Sequence, residues 1–502
     1  MELDKTVKRL IATQLPDGYM GTYSADKTFM AVPDGGGWDT WTLRYNLYGL
    51  LTYESYHPDQ EVVDACKKMG DLLIETYGEG KADLTKYGTR QGISATTLLE
   101  SIVMLYERTG EKKYLDFAEH IVAMSENNPK LRLMDAMLNH ESVVYSGDGK
   151  AYQLMANLLG YLRLYRSTGN EQYLQTVLNG WEEIHEKHIL VTGGPWSRHM
   201  SYNANRECFA HTEDFNPQEI VVEGCCTATW MQLNIHLFEY TGQAKYFNEA
   251  ELTLLNDLYE HQHTDGIDWC YYTHPNEPLP TYESRYTCCA SSGPRGMEMF
   301  SSHLAGSIDN NLSINSLAPA SIELAKQFGG GVLKIESDFP SVSSAEIVFE
   351  TEKSKEYTVE FRLPMGTSLS QVKINGVAAE ASENSRGFLE LTRKWVNGDV
   401  LAIDMEYKIA LHVQDGEEGQ KWIAFTYGPV ALAQKITEMP AEEPFSSLGL
   451  SLDEPEKILD LLIKTESGES PVFTIKDSGI TLMPYYLTGT RESGPKTYFK
   501  FS

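Results

Sequence analysis

Two cysteine doublets, Cys225-Cys226 and Cys288-Cys289, stand out in a chain with only seven cysteines, and Glu223 lies two residues ahead of the first doublet. Thiolates and a carboxylate are ligands that borderline-soft Zn²⁺ takes in a tetrahedron, and Glu223, Cys225, Cys288 and Cys289 make a full set of four. A disulfide framework is the weaker reading, because 502 residues bury ample core without staples and vicinal cysteines rarely bridge each other. The competing reading is four buried apolar cysteines, which are common core residues. The i, i+2 spacing of Glu223 and Cys225 suits one side of an extended segment and divergent faces of a helix, so the pair is expected to precede the helix that carries WMQLNIHLF. Cys226 then points away into the core. Cys66, Cys270 and Cys208 read as packed thiols too, Cys208 with the alternative of lining a pocket. His199, His211 and His274 fall near these motifs, but as ligands they would compete with a set that is already complete.

The elements that must position these residues change character once, near residue 306. Before it, segments of 3.6-residue periodicity run over 2–14, 41–56, 60–77, 92–108, 112–126, 150–167, 171–188, 226–241, 244–260 and 294–305. They come in pairs: YERTGEKKYLDFAEHI, YRSTGNEQYLQTVLNGW and FEYTGQAKYFNEAELTLLNDL each read as a helix ended by Thr-Gly, a polar turn, and a helix opened around a tyrosine. About ten helices in repeated hairpins predict an α/α toroid. After 306 the period switches to two, as in EYTVEFRLP and DVLAIDMEY, which predicts a β-sandwich over 307–412 and a second small β-rich domain over 413–502, behind an α/α catalytic domain over 1–306.

A formal net charge of −29 with no Lys/Arg-rich block excludes nucleic acid and acidic lipid surfaces as expected partners. No run of about 18 apolar residues is present to span a membrane, and MELDKTVKRL lacks the apolar core of a secretion signal. The expected compartment is the cytoplasm for the chain as it stands, or the periplasm if a signal precedes Met1.

QLPDGYMGTY, TGGPW, the Glu207 to Cys225 segment, the Cys-Cys doublet followed six residues later by Arg295, the RLP…VKING…W…GD run and LMPYYLTG together resemble glycoside hydrolase family 127 over the length of the chain. The resemblance implies an (α/α)6 barrel followed by β-sandwich domains. It also implies a retaining, exo-acting β-L-arabinofuranosidase-like hydrolase with a zinc-bound cysteine nucleophile and a carbohydrate substrate. On the matching positions Cys288 is the nucleophile, Glu223, Cys225 and Cys289 are the other zinc ligands, and Glu207, sixteen residues before Glu223, is the general acid/base. The chemistry is coherent: zinc holds a thiol of ordinary pKa of roughly 8.5 as thiolate, and a retaining glycosidase needs a nucleophile plus a proton donor. Gly293-Pro294 is suited to opening a helix whose positive end favours a nearby thiolate. Burial against an apolar wall is the expected means of keeping Glu207 protonated. Tyr272 matches a family tyrosine placed to hydrogen-bond the sulfur or the sugar, with core packing as the alternative. Trp38 and Trp41 are candidates to stack on a sugar ring, and the glycines of PDGGGWDTW to form a loop beside it.

The chain departs from the family in two ways. Related proteins carry more residues before the segment matching QLPDGYMGTY, so the toroid is expected to lack its first helices. An open barrel would pair with a partner, a homo-oligomer among the options. The pocket histidines are also replaced. WDTWTLRY, Ser94-Ala95 and Gly149-Lys150 stand in their place, so that Trp38 and Tyr45 replace imidazoles, Ala95 opens space, and Lys150 adds a cation. A desolvated ammonium is costly unless paired, which points to a carboxylated plant-glycan sugar, unless Lys150 is a solvated lysine at a helix start. Two other classes stay open: a zinc-stabilised carbohydrate-binding or scaffold protein, which has no use for Glu207, and an α/α-toroid polysaccharide lyase or uronyl hydrolase, which needs no cysteine nucleophile.

Overall fold

The computed structural model describes residues 2–30, 37–198, 207–279, 282–283, 287–440, 445, 450–465 and 470–501. The chain divides into two compact units, Met1–His188 with Glu207–Ala210, and Ile189–Arg206 with His211–Ser502.

The first unit is helical. It contains α1 (Glu2–Ile11), α2 (Asp39–Tyr56), α3 (Gln60–Tyr77), α4 (Ile93–Thr96), α5 (Leu98–Thr109), α6 (Lys112–Asn127), α7 (Leu133–Leu138), α8 (Ala151–Thr168) and α9 (Glu171–His188). The hairpin phrases fold as their spacing predicts. Gly110 ends α5 at φ 68°, in the left-handed region that a side chain resists, and its N–H donates to the Tyr106 carbonyl. Apolar faces meet between the hairpins, with Leu99, Ile102 and Leu105 of α5 and Leu154, Leu158 and Leu162 of α8 all buried. The short helix α7 has no counterpart among the ten periodic segments, because six residues are too few to show a period.

The second unit begins with a three-stranded sheet of β1 (Trp196–Arg198), β2 (Ile220–Glu223) and β4 (Tyr272–Thr273), and a two-stranded one of β3 (Trp269–Cys270) and β5 (Tyr282–Glu283). Its helices are α10 (Gly224–Thr241), α11 (Ala244–Thr253), α12 (Tyr259–His261), α13 (Cys288–Ser301) and α14 (Pro455–Leu459). A six-stranded and a five-stranded sheet, formed by strands between Ala305 and Tyr407, share one apolar core that includes Ile347, Phe349, Val359, Phe361, Leu401 and Ile403. Phe349 stacks on Trp395 within it, ring centroids 4.4 Å apart. A further eight-stranded sheet runs from Ile409 to Phe501. The break expected at 412 therefore falls inside a strand, Ile409–Asp415, which pairs with Lys421–Tyr427. Period-two alternation runs through both neighbouring strands with one residue between them, so the sequence does not mark the boundary.

Outside the cysteine centre, a carboxylate joins α10 to the turn that follows α13 by lying between two imidazoles: Glu239 Oε2 lies 2.6 Å from His236 Nδ1, and Oε1 lies 3.0 Å from His303 Nε2. Burial works against the charged forms, yet the two histidines hold the Glu239 carboxyl far below the usual range, and Glu239 in turn raises His303. A depressed carboxyl contributes stability above its unfolded pKa, near 4.5. A raised histidine contributes it below its own unfolded pKa, near 6.5, and loses it as pH rises through the folded value. Glu239→Gln is therefore expected to lower the melting temperature more at pH 6 than at pH 9. Equal decrements at the two pH values in calorimetry would count against the link.

Candidate active site

The four expected ligands converge in the second unit. One ligand atom from each of Glu223, Cys225, Cys288 and Cys289 lies within 4.8 Å of all the others, the one such group of four among the described residues. Glu223 ends β2 and caps α10, Cys225 sits in the first turn of that helix, and Cys288 and Cys289 open α13. The Thr287 hydroxyl caps α13 by accepting from Ala290 N at 3.2 Å, so both doublets stand at helix N-termini, whose partial positive charge favours thiolates. Cys225 Sγ and Cys289 Sγ are 3.6 Å apart. A tetrahedral zinc with Zn–S of about 2.3 Å sets sulfurs about 3.8 Å apart, so the donor set and its spacing both fit the ion. Of the four residues only Cys288 is exposed.

The thiols are electrically unequal. Hydrogen bonds from Cys225 and Cys289, and one from the Tyr271 phenol 3.7 Å away, hold the Cys288 thiol well below the ordinary cysteine range. The Cys288 contact pushes Cys225 up, and the Cys225 contact pushes Cys289 up. Negative charge thus concentrates on the one accessible sulfur.

The first unit holds the remaining candidates. Lys150 precedes α8 and is buried, and its ammonium is ion-paired with the Glu207 carboxylate. The backbone locks the two together: Ala151 N donates to Glu207 O at 3.0 Å, and Phe209 N donates to Gly149 O at 2.8 Å. Glu207 itself sits at φ 79°, a left-handed conformation that costs a non-glycine residue on the order of 1–3 kcal/mol. Trp38 and Tyr45 lie on either side of Trp41, all edge-on, with Trp38 45 % and Tyr45 38 % exposed. The Tyr45 hydroxyl meets that of Tyr152, and the buried Arg44 guanidinium lies under the Tyr45 ring, 4.9 Å from its centroid, and 3.3 Å from Glu100. An exposed aromatic ledge over a fixed cation suits the apolar face of a sugar ring.

Residues 1–302 match the family description "Beta-L-arabinofuranosidase, GH127 catalytic domain", and residues 312–407 match the "GH127 middle domain" of the same enzymes. The chain belongs to glycoside hydrolase family 127. It is 21 % identical over 309 residues to a non-reducing end β-L-arabinofuranosidase of Bifidobacterium longum subsp. longum, a match that covers 55 % of this chain and 44 % of that protein. The chain thus spans less than half the length of this curated relative. Two solved structures share the fold. One is a family 127 β-arabinofuranosidase with TM-score 0.75 and 19 % identity, covering 100 % of this chain and 84 % of the other. The second is a family 127 β-L-arabinofuranosidase from Geobacillus stearothermophilus T6, with TM-score 0.76 and 15 % identity, covering 99 % and 86 %. Helical hairpins followed by β-sheet domains, the architecture expected from the sequence, are what this family 127 chain adopts.

Several local expectations are corrected. Cys225 lies inside the first turn of α10 rather than ahead of it; only Glu223 is extended, and the turn of backbone at Gly224 lets both face one point. Cys226 is buried but not turned away, since its thiol donates to Glu223 Oε2 at 3.2 Å and helps to orient that carboxylate. Gly293-Pro294 does not open a helix. α13 starts six residues before Pro294, and Gly293 is there because the Trp269 ring occupies the space that a side chain would fill. The phenol that reaches the sulfur is that of Tyr271; Tyr272 pairs with Glu223 across β2 and β4 and its ring packs 4.7 Å from that of Tyr271. Neighbouring strand residues point to opposite faces, and the sequence does not say which face of YYTHP meets the cysteine cluster. Glu207 has an ammonium beside it, not an apolar wall, and Lys150 is neither solvated nor in want of an anion from the substrate. His274 Nδ1 faces the Ile220 carbonyl at 3.1 Å and His211 precedes a short 3-10 turn, while His199 lies outside the described residues, as do Gly35 and Gly36 of the glycine run.

Proposed function

We propose that this chain is a retaining β-L-arabinofuranosidase-type glycoside hydrolase in which Cys288 is the nucleophile and Glu207 the general acid/base. The observation that carries the reading is the asymmetry of the cysteine centre: three buried ligands and one exposed, acidified thiol. A purely structural zinc site is closed on all sides, which argues against the scaffold reading. Glu223, Cys225, Cys288 and Cys289 would hold the zinc, which supplies charge that keeps the sulfur ionised. The Cys288 sulfur attacks the anomeric carbon as the bond from that carbon to the glycosidic oxygen breaks, and Glu207, in its protonated form, gives that oxygen its proton. Water then loses a proton to Glu207 and attacks the same carbon, and the thiolate leaves, with net retention. Glu207 takes this role by its register with Glu223 in the family.

Since Lys150 has its counter-ion in Glu207, a sugar carboxylate would have to displace the acid/base to reach it. A neutral furanoside is therefore the substrate class favoured here over a carboxylated one. Exposure to an activated β-L-arabinofuranoside, followed by intact-mass measurement and peptide mapping, is expected to show one pentosyl adduct on Cys288, and NMR of the first-formed sugar retention. Inversion, or an adduct elsewhere, would overturn the assignment.

A further inference from the structure

Behind the cysteine centre lies a buried polar knot that the reaction does not use. Between α11 and α12 the helix opens into a single π turn, Leu254–Leu258. Such turns recur at functional sites, and this one carries Asp257, fully buried. The Asp257 carboxylate accepts from Thr227 Oγ1 at 2.6 Å on Oδ2 and from Thr273 Oγ1 at 2.8 Å on Oδ1, and Oδ2 lies 3.4 Å from His261 Nε2. Its own N–H donates to the Thr192 carbonyl at 3.2 Å.

The three side-chain partners lie on, or are paired or packed against, the segments that carry the expected ligands. Thr227 is in the first turn of α10, two residues after Cys225, and its hydroxyl oxygen is also 3.3 Å from the Glu223 carbonyl. Thr273 is in β4, pairs with Val222 of β2, and follows Tyr271 by two residues. His261 faces the Cys270 carbonyl at 3.2 Å, and its ring lies 3.3 Å from where a side chain on Gly224 would begin; the Cys289 Cβ lies 3.1 Å from the same point. Room is kept for the carboxylate as well, for a side chain on Gly194 would meet it at 2.6 Å.

We infer that Asp257 is a positioning residue of the cysteine centre: it ties the start of α10 to β4 and so sets Glu223 and Cys225 opposite Cys288 and Cys289. The inference rests on the zinc reading above for its function, and on the hydrogen bonds alone for its geometry. A carboxylate is needed because it accepts from two hydroxyls at once in a place closed to water; an amide in the same shape turns one acceptor into a donor that faces a threonine oxygen. Groups that orient metal ligands from behind change affinity by about 10–100-fold when lost.

The test uses the full chain. Zinc affinity is measured by competition with a chromophoric chelator for wild type, Asp257→Asn, Thr227→Val and Thr227→Ser. Asp257→Asn and Thr227→Val are expected to bind zinc about 10–100-fold more weakly, with Thr227→Ser close to wild type because the hydroxyl is restored. In parallel, metal-free protein is titrated with phenylarsine oxide, which bridges two thiols only when they are held close; the Asp257→Asn protein should capture it more slowly than wild type. Zinc affinity and arsenical capture both unchanged in a folded Asp257→Asn protein would overturn the inference. If wild type takes up no zinc, the metal reading fails, and the arsenical rates alone decide the positioning role: slower capture upholds it, equal capture overturns it.

Discussion

Cys288→Ser is expected to lower kcat/KM on an activated β-L-arabinofuranoside by at least about 10³-fold, because a serine hydroxyl beside the same neighbours is not ionised near neutral pH and the covalent step loses its nucleophile. The other three ligands remain, so some zinc should stay bound, more weakly. Cys225→Ala and Cys289→Ala should fail differently: each removes a proposed buried ligand, so the expected result is loss of stoichiometric zinc and a lower melting temperature, since metal binding free energy is also folding free energy. Metal analysis, melting curves and single-turnover kinetics on the three variants separate the roles. Wild-type turnover in Cys288→Ser would end the nucleophile assignment.

The second large effect concerns Lys150 and Glu207. Their side chains are only 8 % and 17 % exposed and paired, so removing one partner leaves a buried charge without this counter-ion, at a cost of up to about 3–5 kcal/mol. Glu207→Gln should therefore lose both activity, by about 10²–10⁴-fold, and stability, because the buried ammonium loses this carboxylate. Lys150→Met combined with Glu207→Gln removes both charges and should recover most of the stability and none of the activity. Denaturant titration alongside kinetics tests this. Recovery of activity in the double variant would show that Glu207 acts only through the fold, and additive stability losses would show that the pair is not coupled.

The paired helices and the switch to β structure were legible because periodicity and Thr-Gly turns are local signals: Gly110 and Gly242 end their helices where the turn phrases place them. The clustering of Glu223, Cys225, Cys288 and Cys289 was legible for a similar reason, since two doublets and one nearby glutamate leave few combinations. What the sequence did not disclose depends on contacts far apart in the chain. Tyr271 instead of Tyr272 is a choice of strand face, made by pairing with β2. The start of α13 is set by the Thr287 cap and by Trp269 against Gly293, not by the proline that looked like a beginning. Lys150 read as a free cation because its partner lies 57 positions away, and Asp257 had no signal at all, being one acid among 71 acidic residues.

A π turn is one residue more than an α-helix needs, and that surplus has a consequence for anyone who tries to make this protein sturdier. Deleting a residue from Leu254–Leu258 would let α11 and α12 run together with regular backbone hydrogen bonds, while swinging the side chains on one side of the cut by about 100° relative to those on the other. The regular backbone gained would be offset by losing the residue that keeps Asp257 facing Thr227 and by displacing the side chains of Leu254, Leu255 and Leu258, all buried. Shortened variants with a regular helix, a lower melting temperature and a loosened cysteine cluster are the expected result, so in this family 127 chain the surplus residue is one that stability and the site both need.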